Sequence, residues 1–333
     1  MLPLTRNESV KIPTTDLATN GDHLFKPLKI LHDVASMRPD QKLLEGAIDT
    51  HLHAGPSLFP RLMDAEETAK AARAAGMRGL LIKHHHVPTV ERAYFVSKAV
   101  PEVEVYGGVT LNYAAGGLNP FAVDAALKLG GKMVWMPSAD ARNHLRHFGE
   151  IGKYGSRLDY EKPRIYDNVG GITILDDEGD LVQSVHEILD VTADADAAIA
   201  TSHLDVQESR ALIEEARRRK IRTVATHVAF VTASLSVEDQ RWMASKGAYL
   251  ELCYNSLSPA WRNTTIDEVA QAIREVGPEH YILASDLGQV HNPPPPEGIR
   301  IYIMMLLERG FTPDEIRVMT KKNPERLLGL DPA

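Results

Sequence analysis

The chain carries one cysteine, Cys253, in 333 residues. A single thiol closes no intramolecular disulfide and cannot build a thiolate-rich zinc finger. Any metal site must therefore draw on His, Asp, Glu or Lys. No run of about 18 apolar residues occurs, so no membrane span is expected. The opening MLPLTRNESVKIPTTDLATNG lacks the apolar core of a secretory signal, and with the lone thiol this predicts a cytoplasmic protein. Positive charge is also short. Lys and Arg number 37 against 45 Asp and Glu, a net charge of -8, which argues against the basic face of a general nucleic-acid binder. No credible G-x-x-x-x-G-K-[ST] or G-x-G-x-x-G motif indicates a nucleotide cofactor. The expected partner is a small-molecule substrate, with neither nucleic acid nor membrane. The apolar IRIYIMMLLERG (299–310) is read as core, with a homo-oligomer face as its other use.

Histidine, by contrast, is plentiful, and its placement is informative. In IDTHLHAGPS, His51 and His53 flank one leucine at the end of an apolar run. Strand alternation sends residues i and i+2 to the same face, so both imidazoles can meet one metal ion while Leu52 packs behind. The pair alone is weak: 14 His in 333 residues give about 0.6 His-x-His pairs by chance. Its plain reading is two strand-end histidines satisfied by hydrogen bonds.

The rest of the chain supplies a frame. Short β-prone runs occur at GAIDTHLH (46–53), RGLLIKHH (78–85), VEVYGGVTLN (103–112), KMVWMP (132–137), AAIATSH (197–203), IRTVATH (221–227), AYLELCYN (248–255) and YILASDLG (281–288). Amphipathic stretches separate them. DAEETAKAARAAG (64–76) has Asp64 as N-cap and Gly76 as C-cap, NPFAVDAALKLGG (119–131) has Pro at its first helical position, and DVQESRALIEEARRRK (205–220) puts acids early and bases late. Eight such units predict an α/β fold, a (βα)8 TIM-type barrel, over residues 45–330, after an N-terminal extension, 1–44, in which PLKILHDVASM (27–37) could be helical. The interval between the fourth and fifth strands is too long for one crossover. Residues 138–182 are read as an insertion leaving the C-terminal rim, either a lid or an oligomer-contact loop, with a hairpin around Asp177-Glu178-Gly179.

In such a barrel the C-terminal strand ends share one rim. His51 and His53 end the first strand, His203 the fifth, His227 the sixth and Asp286 the eighth. That convergence points to a divalent metal. Lys83 ends the second strand, in LLIKHHHVPT. It is either a bridging or substrate-binding amine or a solvated strand-end lysine. Of His84, His85 and His86, at least one should face the pocket, and the substrate-binding candidates are His84 and His85. Arg142 and His144 belong to a basic cluster in the insertion that could hold an anionic group or be solvated surface. His291, in the proline-stiffened GQVHNPPPPEG loop, could reach the substrate or belong to an ordinary rigid loop.

This set resembles the amidohydrolase superfamily of metal-dependent hydrolases. The matching features are His51-Leu52-His53 on the first strand, a histidine on each of the fifth and sixth, an aspartate on the eighth, and the Asn-Pro-x-x-x-Leu-Gly tail within KKNPERLLGL (321–330). The resemblance covers residues 45–330 and is closest to the superfamily's poorly characterised members. It implies one or two divalent ions, zinc foremost, with manganese, iron or nickel as alternatives. His51, His53 and Asp286 would bind the more buried ion. His203 and His227 would bind a second, or His227 would polarise the substrate in a one-metal member. Lys83 or Lys132 would take the place of the family's bridging residue. The implied reaction is hydrolysis of an amide, lactone or other ester, with Asp286, His227 and Lys83 as catalytic groups. A non-oxidative decarboxylase, a phosphoesterase and a non-catalytic ligand-binding barrel are the rival readings.

Overall fold

The structure, a computed structural model, describes residues 38–154 and 169–332. The candidate helix at 27–37 and residues 155–168 of the insertion lie outside the described residues. Among the described residues eight parallel strands follow one another: β1 (Ile48–Leu52), β2 (Gly79–Ile82), β3 (Glu104–Tyr106, resuming at Gly108–Thr110), β4 (Met133–Trp135), β5 (Ala198–Ala200), β6 (Arg222–Ala225), β7 (Tyr249–Cys253) and β8 (Tyr281–Ala284). β3 is interrupted at Gly107, which packs so closely that a Cβ there would lie 2.5 Å from the Thr89 backbone. The ends of β8 and β1 are tied by two backbone hydrogen bonds, Asp286 N to His51 O and His53 N to Leu287 O, both 2.7 Å. The ring therefore closes as a (βα)8 barrel.

Alternation along the strands builds two layers of core. Ile48, Leu81, Met133, Trp135, Ala198, Ala200, Val224 and Ile282 fill the interior, and Leu327 and Leu328 pack against them. Small residues on β5 leave room for Trp135 on β4. The alternate positions, such as Leu80, Ile82, Leu250, Leu252, Tyr281 and Leu283, pack in an outer cluster that includes helical residues. Burial of both faces explains why these strands read as near-continuous apolar runs.

β1 breaks the alternation in a useful way. Ile48 belongs to the interior cluster, yet Leu52, four residues on, belongs to the outer one. A register irregularity between Asp49 and Leu52 reconciles them. Such an irregularity re-aims side chains at a strand end. Here Thr50 and His51 both reach Glu251 on β7.

The helices start where the sequence signals them. The helix Ala65–Ala74 has an Asp64–Glu67 capping box, Val206–Arg218 has an Asp205–Glu208 box, and Asn119 caps Pro120–Lys128. The segment read as an insertion leaves after β4. Its ends are pinned together by Arg142 N to Ile172 O (2.7 Å) and Ile172 N to Asp140 O (2.8 Å). Its second described part makes a tight turn at Asp177-Glu178-Gly179, closed by Asp176 N to Asp180 O and Val182 N to Ile174 O. Among the described residues no helix is long and apolar enough to cross a membrane.

Candidate metal centre

One pocket at the C-terminal rim is lined by His51, His53, Lys83, His85, His203, His227 and Asp286. Phe59, Arg61, Tyr154, Phe230, Asn255, Trp261 and Gln289 complete it. His227 and Asp286 adopt positive φ, 33° and 50°. Non-glycine residues rarely do so, and sites that need a fixed side-chain direction are where such strain is kept.

The hydrogen bonds fix the protons. His53 Nδ1 lies 3.1 Å from Lys83 O, and a carbonyl only accepts, so Nδ1 carries the proton. His51 Nδ1 lies 2.8 Å from Glu251 Oε2 and donates to it. The same oxygen accepts from His227 N at 3.2 Å and from the Cys253 thiol at 3.5 Å, while Thr50 donates to Oε1 at 3.4 Å. Burial lowers His51 to about 3 and His53 well below its ordinary value, and the Arg61 and Lys83 charges lower both further, which favours neutral rings. Each Nε2 then presents a lone pair.

Those lone pairs point at a carboxylate. Asp286 Oδ1 lies 3.1 Å from His53 Nε2 and 3.3 Å from His51 Nε2. Two ring nitrogens and a carboxylate oxygen converge there, and His51 Nε2 has no hydrogen-bond partner among the described residues. That donor set fits a divalent cation, and the outer bonds to Glu251 and Lys83 O would orient the two ligand rings. The other oxygen of Asp286 accepts from Asn255 Nδ2 at 3.1 Å, and Asn255 is held in turn by Asn292 at 3.0 Å. A second group, His51, Glu251 and Cys253, also has ligand atoms close together. Its bonds are already used within the protein, and burial pushes the Cys253 thiol well up, so it is the poorer cation site.

His203 and His227 stand across the pocket with ring centroids 4.9 Å apart. His203 Nδ1 faces His144 Nδ1, and His227 Nδ1 is buried without a hydrogen-bond partner among the described residues. Lys83 is 1% exposed and so is not a solvated lysine. Its ammonium lies 5.7 Å from the centroid of Trp135, and burial lowers its pKa against the pull of Asp286 and Glu251. Lys132 sits half-buried one residue before β4, at the opposite end of the strand from the rim.

The remaining sequence candidates are placed differently. His85 stacks on His53 at 4.8 Å and bonds Ser138. His84 is outside the pocket lining: its Nε2 bonds Pro56 O, and its Nδ1 accepts from His86 N and Val87 N. His144 is fully buried behind His203. Arg142 bonds Thr173, and His291 is exposed; neither lines the pocket. Sequence reasoning missed Glu251 and Arg61. Glu251 had a signal, an acid between two leucines in a strand buried on both faces. Arg61, in the loop after β1, had none.

Residues 46–251 match DUF6282, described as a family of unknown function. The chain belongs to that family. No curated protein matches the sequence. Solved structures of similar fold include an amidohydrolase from Pseudomonas aeruginosa, with TM-score 0.59 and 13% identity over 88% of this chain and 98% of that one. The probable dipeptidase PvdM from the same organism gives 0.59 and 13% over 91% and 98%. The organophosphorus hydrolase from Deinococcus radiodurans gives 0.54 and 14% over 87% and 94%. At these identities the likeness is one of fold: this DUF6282 chain has the barrel of amidohydrolase-type structures.

Proposed function

We propose that the protein is a metal-dependent hydrolase acting on an amide, lactone or other ester bond of a small molecule. The observation that carries this reading is the convergence of His51 Nε2, His53 Nε2 and Asp286 Oδ1 at the rim. These three would hold the ion, and a histidine-rich, oxygen-completed donor set suits zinc first. His203 and His227 would complete a second position, or His227 would polarise the substrate. A divalent ion held there supplies Lewis acidity and water activation near neutral pH. Asp286, steadied by Asn255, takes the proton and passes it to the leaving group. His227 or Lys83, whichever is not taken up by the ions, would stabilise the oxyanion that develops.

Metal content of the purified protein by plasma mass spectrometry, beside Asp286→Asn, tests the reading. About two divalent ions per chain supports a binuclear hydrolase, with Lys83 as the bridging candidate, and about one supports a mononuclear one. No binding, even after metal is added back, overturns it. The aromatic lining of Phe59, Tyr154, Phe230 and Trp261 favours one second reading, non-oxidative decarboxylation of an aromatic acid. Carbon dioxide as product would distinguish it.

A further inference from the structure

Arg61 lines the pocket but takes no part in the ligand set. The bridge between Arg61 and Gln289 and the bond from Leu62 N to Gly288 O (2.9 Å) anchor its backbone to the loop after β8. Its Nε is buried with no hydrogen-bond partner, and its guanidinium makes no ion pair among the described residues. The guanidinium carbon lies 5.6 Å from the Phe59 ring centroid. Arg92, the neighbouring arginine, is already used: its two terminal nitrogens donate to Ala54 O at 3.1 Å and Pro56 O at 3.0 Å. Asp286 attracts Arg61, but its own oxygens face His51, His53 and Asn255.

A largely buried guanidinium remains cationic, and leaving it unpaired is costly. Burial lowers it only to about 10. Beside it stands a wall of rings. Tyr154 lies 5.6 Å from Phe59 and 6.2 Å from Trp261, and Trp261 lies 5.1 Å from Phe230. One free guanidinium matches a monoanion through two parallel hydrogen bonds. The rings match a flat apolar body.

We propose that Arg61 forms an anion subsite that holds the carboxylate of a small, planar, unsaturated substrate against this aromatic wall. The proposal rests on the pocket being the substrate site of the reading above, and its test separates Arg61 from the metal. Benzoate, benzamide and phenyl phosphate are titrated calorimetrically into the wild-type protein, as purified and after metal removal, and into Arg61→Gln and Arg61→Lys. Circular dichroism checks that each variant is folded. Benzoate is expected to bind the wild type about tenfold or more tighter than benzamide, with and without metal. Arg61→Gln should erase that preference and Arg61→Lys should keep part of it. Benzoate preference surviving in Arg61→Gln but lost on metal removal overturns the proposal and leaves the metal reading standing. No benzoate binding, or phenyl phosphate bound tighter than benzoate, also overturns it. Preference lost in Arg61→Gln in a protein that takes up no metal upholds the subsite and sinks the metal reading.

Discussion

The Nδ1 atoms of His144 and His203 lie 2.9 Å apart. Two facing ring nitrogens share one proton, and the far side of His144 decides which has it. His144 Nε2 sits 2.6 Å from Lys153 O and must donate to that carbonyl. Neutral His144 therefore accepts at Nδ1, His203 donates, and His203 Nε2 keeps its lone pair. A carbonyl in the insertion thus sets the tautomer of a rim histidine 50 residues further along the chain.

The first prediction follows from that chain of bonds. His144→Leu removes the acceptor and should weaken metal binding by about 10–100-fold while the fold is kept. His144→Asn, which keeps an acceptor near Nδ1, should restore part of it. Metal competition against a chelator reads the affinity. Nitrogen-15 spectra of the metal-free protein read the His203 tautomer directly. An Nε2–H tautomer for His203 in the wild type would sink the idea.

Glu251 plays the corresponding role for His51, with four donors on its two oxygens. Burial raises its pKa to about 7, opposed by Lys83. Glu251→Leu strands several buried donors, each costing about 1–3 kcal/mol. Glu251→Gln keeps an acceptor and should lose far less stability, yet still lose metal affinity because His51 faces a neutral partner. Urea unfolding beside metal competition separates the two effects. Equal stability loss in both variants would remove Glu251 from this role.

How much of this was legible in the sequence follows from which contacts are local. His51, His203, His227 and Asp286 each end an apolar run, and a parallel barrel brings such ends to one rim whatever the loops do. The strand order and the hairpin at Asp177-Glu178-Gly179 are local in the same sense. His144 carried only the signal of a basic cluster, because its contact with His203 spans 59 residues. The irregularity in β1 was hidden as well. Alternation alone put Leu52 opposite His51 and His53, but it also put Ile48 on the face of Leu52, and the two belong to different layers. Arg61 lies in an irregular loop, where no periodicity says which way a side chain points.

Asp140 supplies a pH prediction away from the ligand set. Burial raises its pKa from 3.8 to about 6, opposed by the bond from Tyr113 N at 2.8 Å. Its protonated form is favoured by folding, so its contribution to stability is full below 3.8 and is lost as pH rises through about 6. The size is at most about 3 kcal/mol. Asp140→Asn keeps an acceptor for Tyr113 and carries no charge. Relative to the wild type it should gain stability between pH 5 and pH 8. Urea midpoints for both proteins at both pH values are the check, and an unchanged difference would count against the assignment.

Gly288 offers the sharpest test of how the barrel closure supports the site. Its φ is +134°, and a Cβ there would lie 1.9 Å from His53 O. The clash is with backbone, so it cannot be relieved by turning a side chain. His53 N is bonded to Leu287 O on the same loop, so a shift there moves His53 relative to Asp286. Gly288→Ala should lower stability by about 1–3 kcal/mol or more and lower metal occupancy with it. Gly130→Ala is the matched control: φ there is +100°, but no atom stands within 4 Å of the added Cβ. It should cost stability through backbone strain alone and leave metal occupancy intact. Equal metal content in the two variants would mean that the closure between β8 and β1 does not position the ligands.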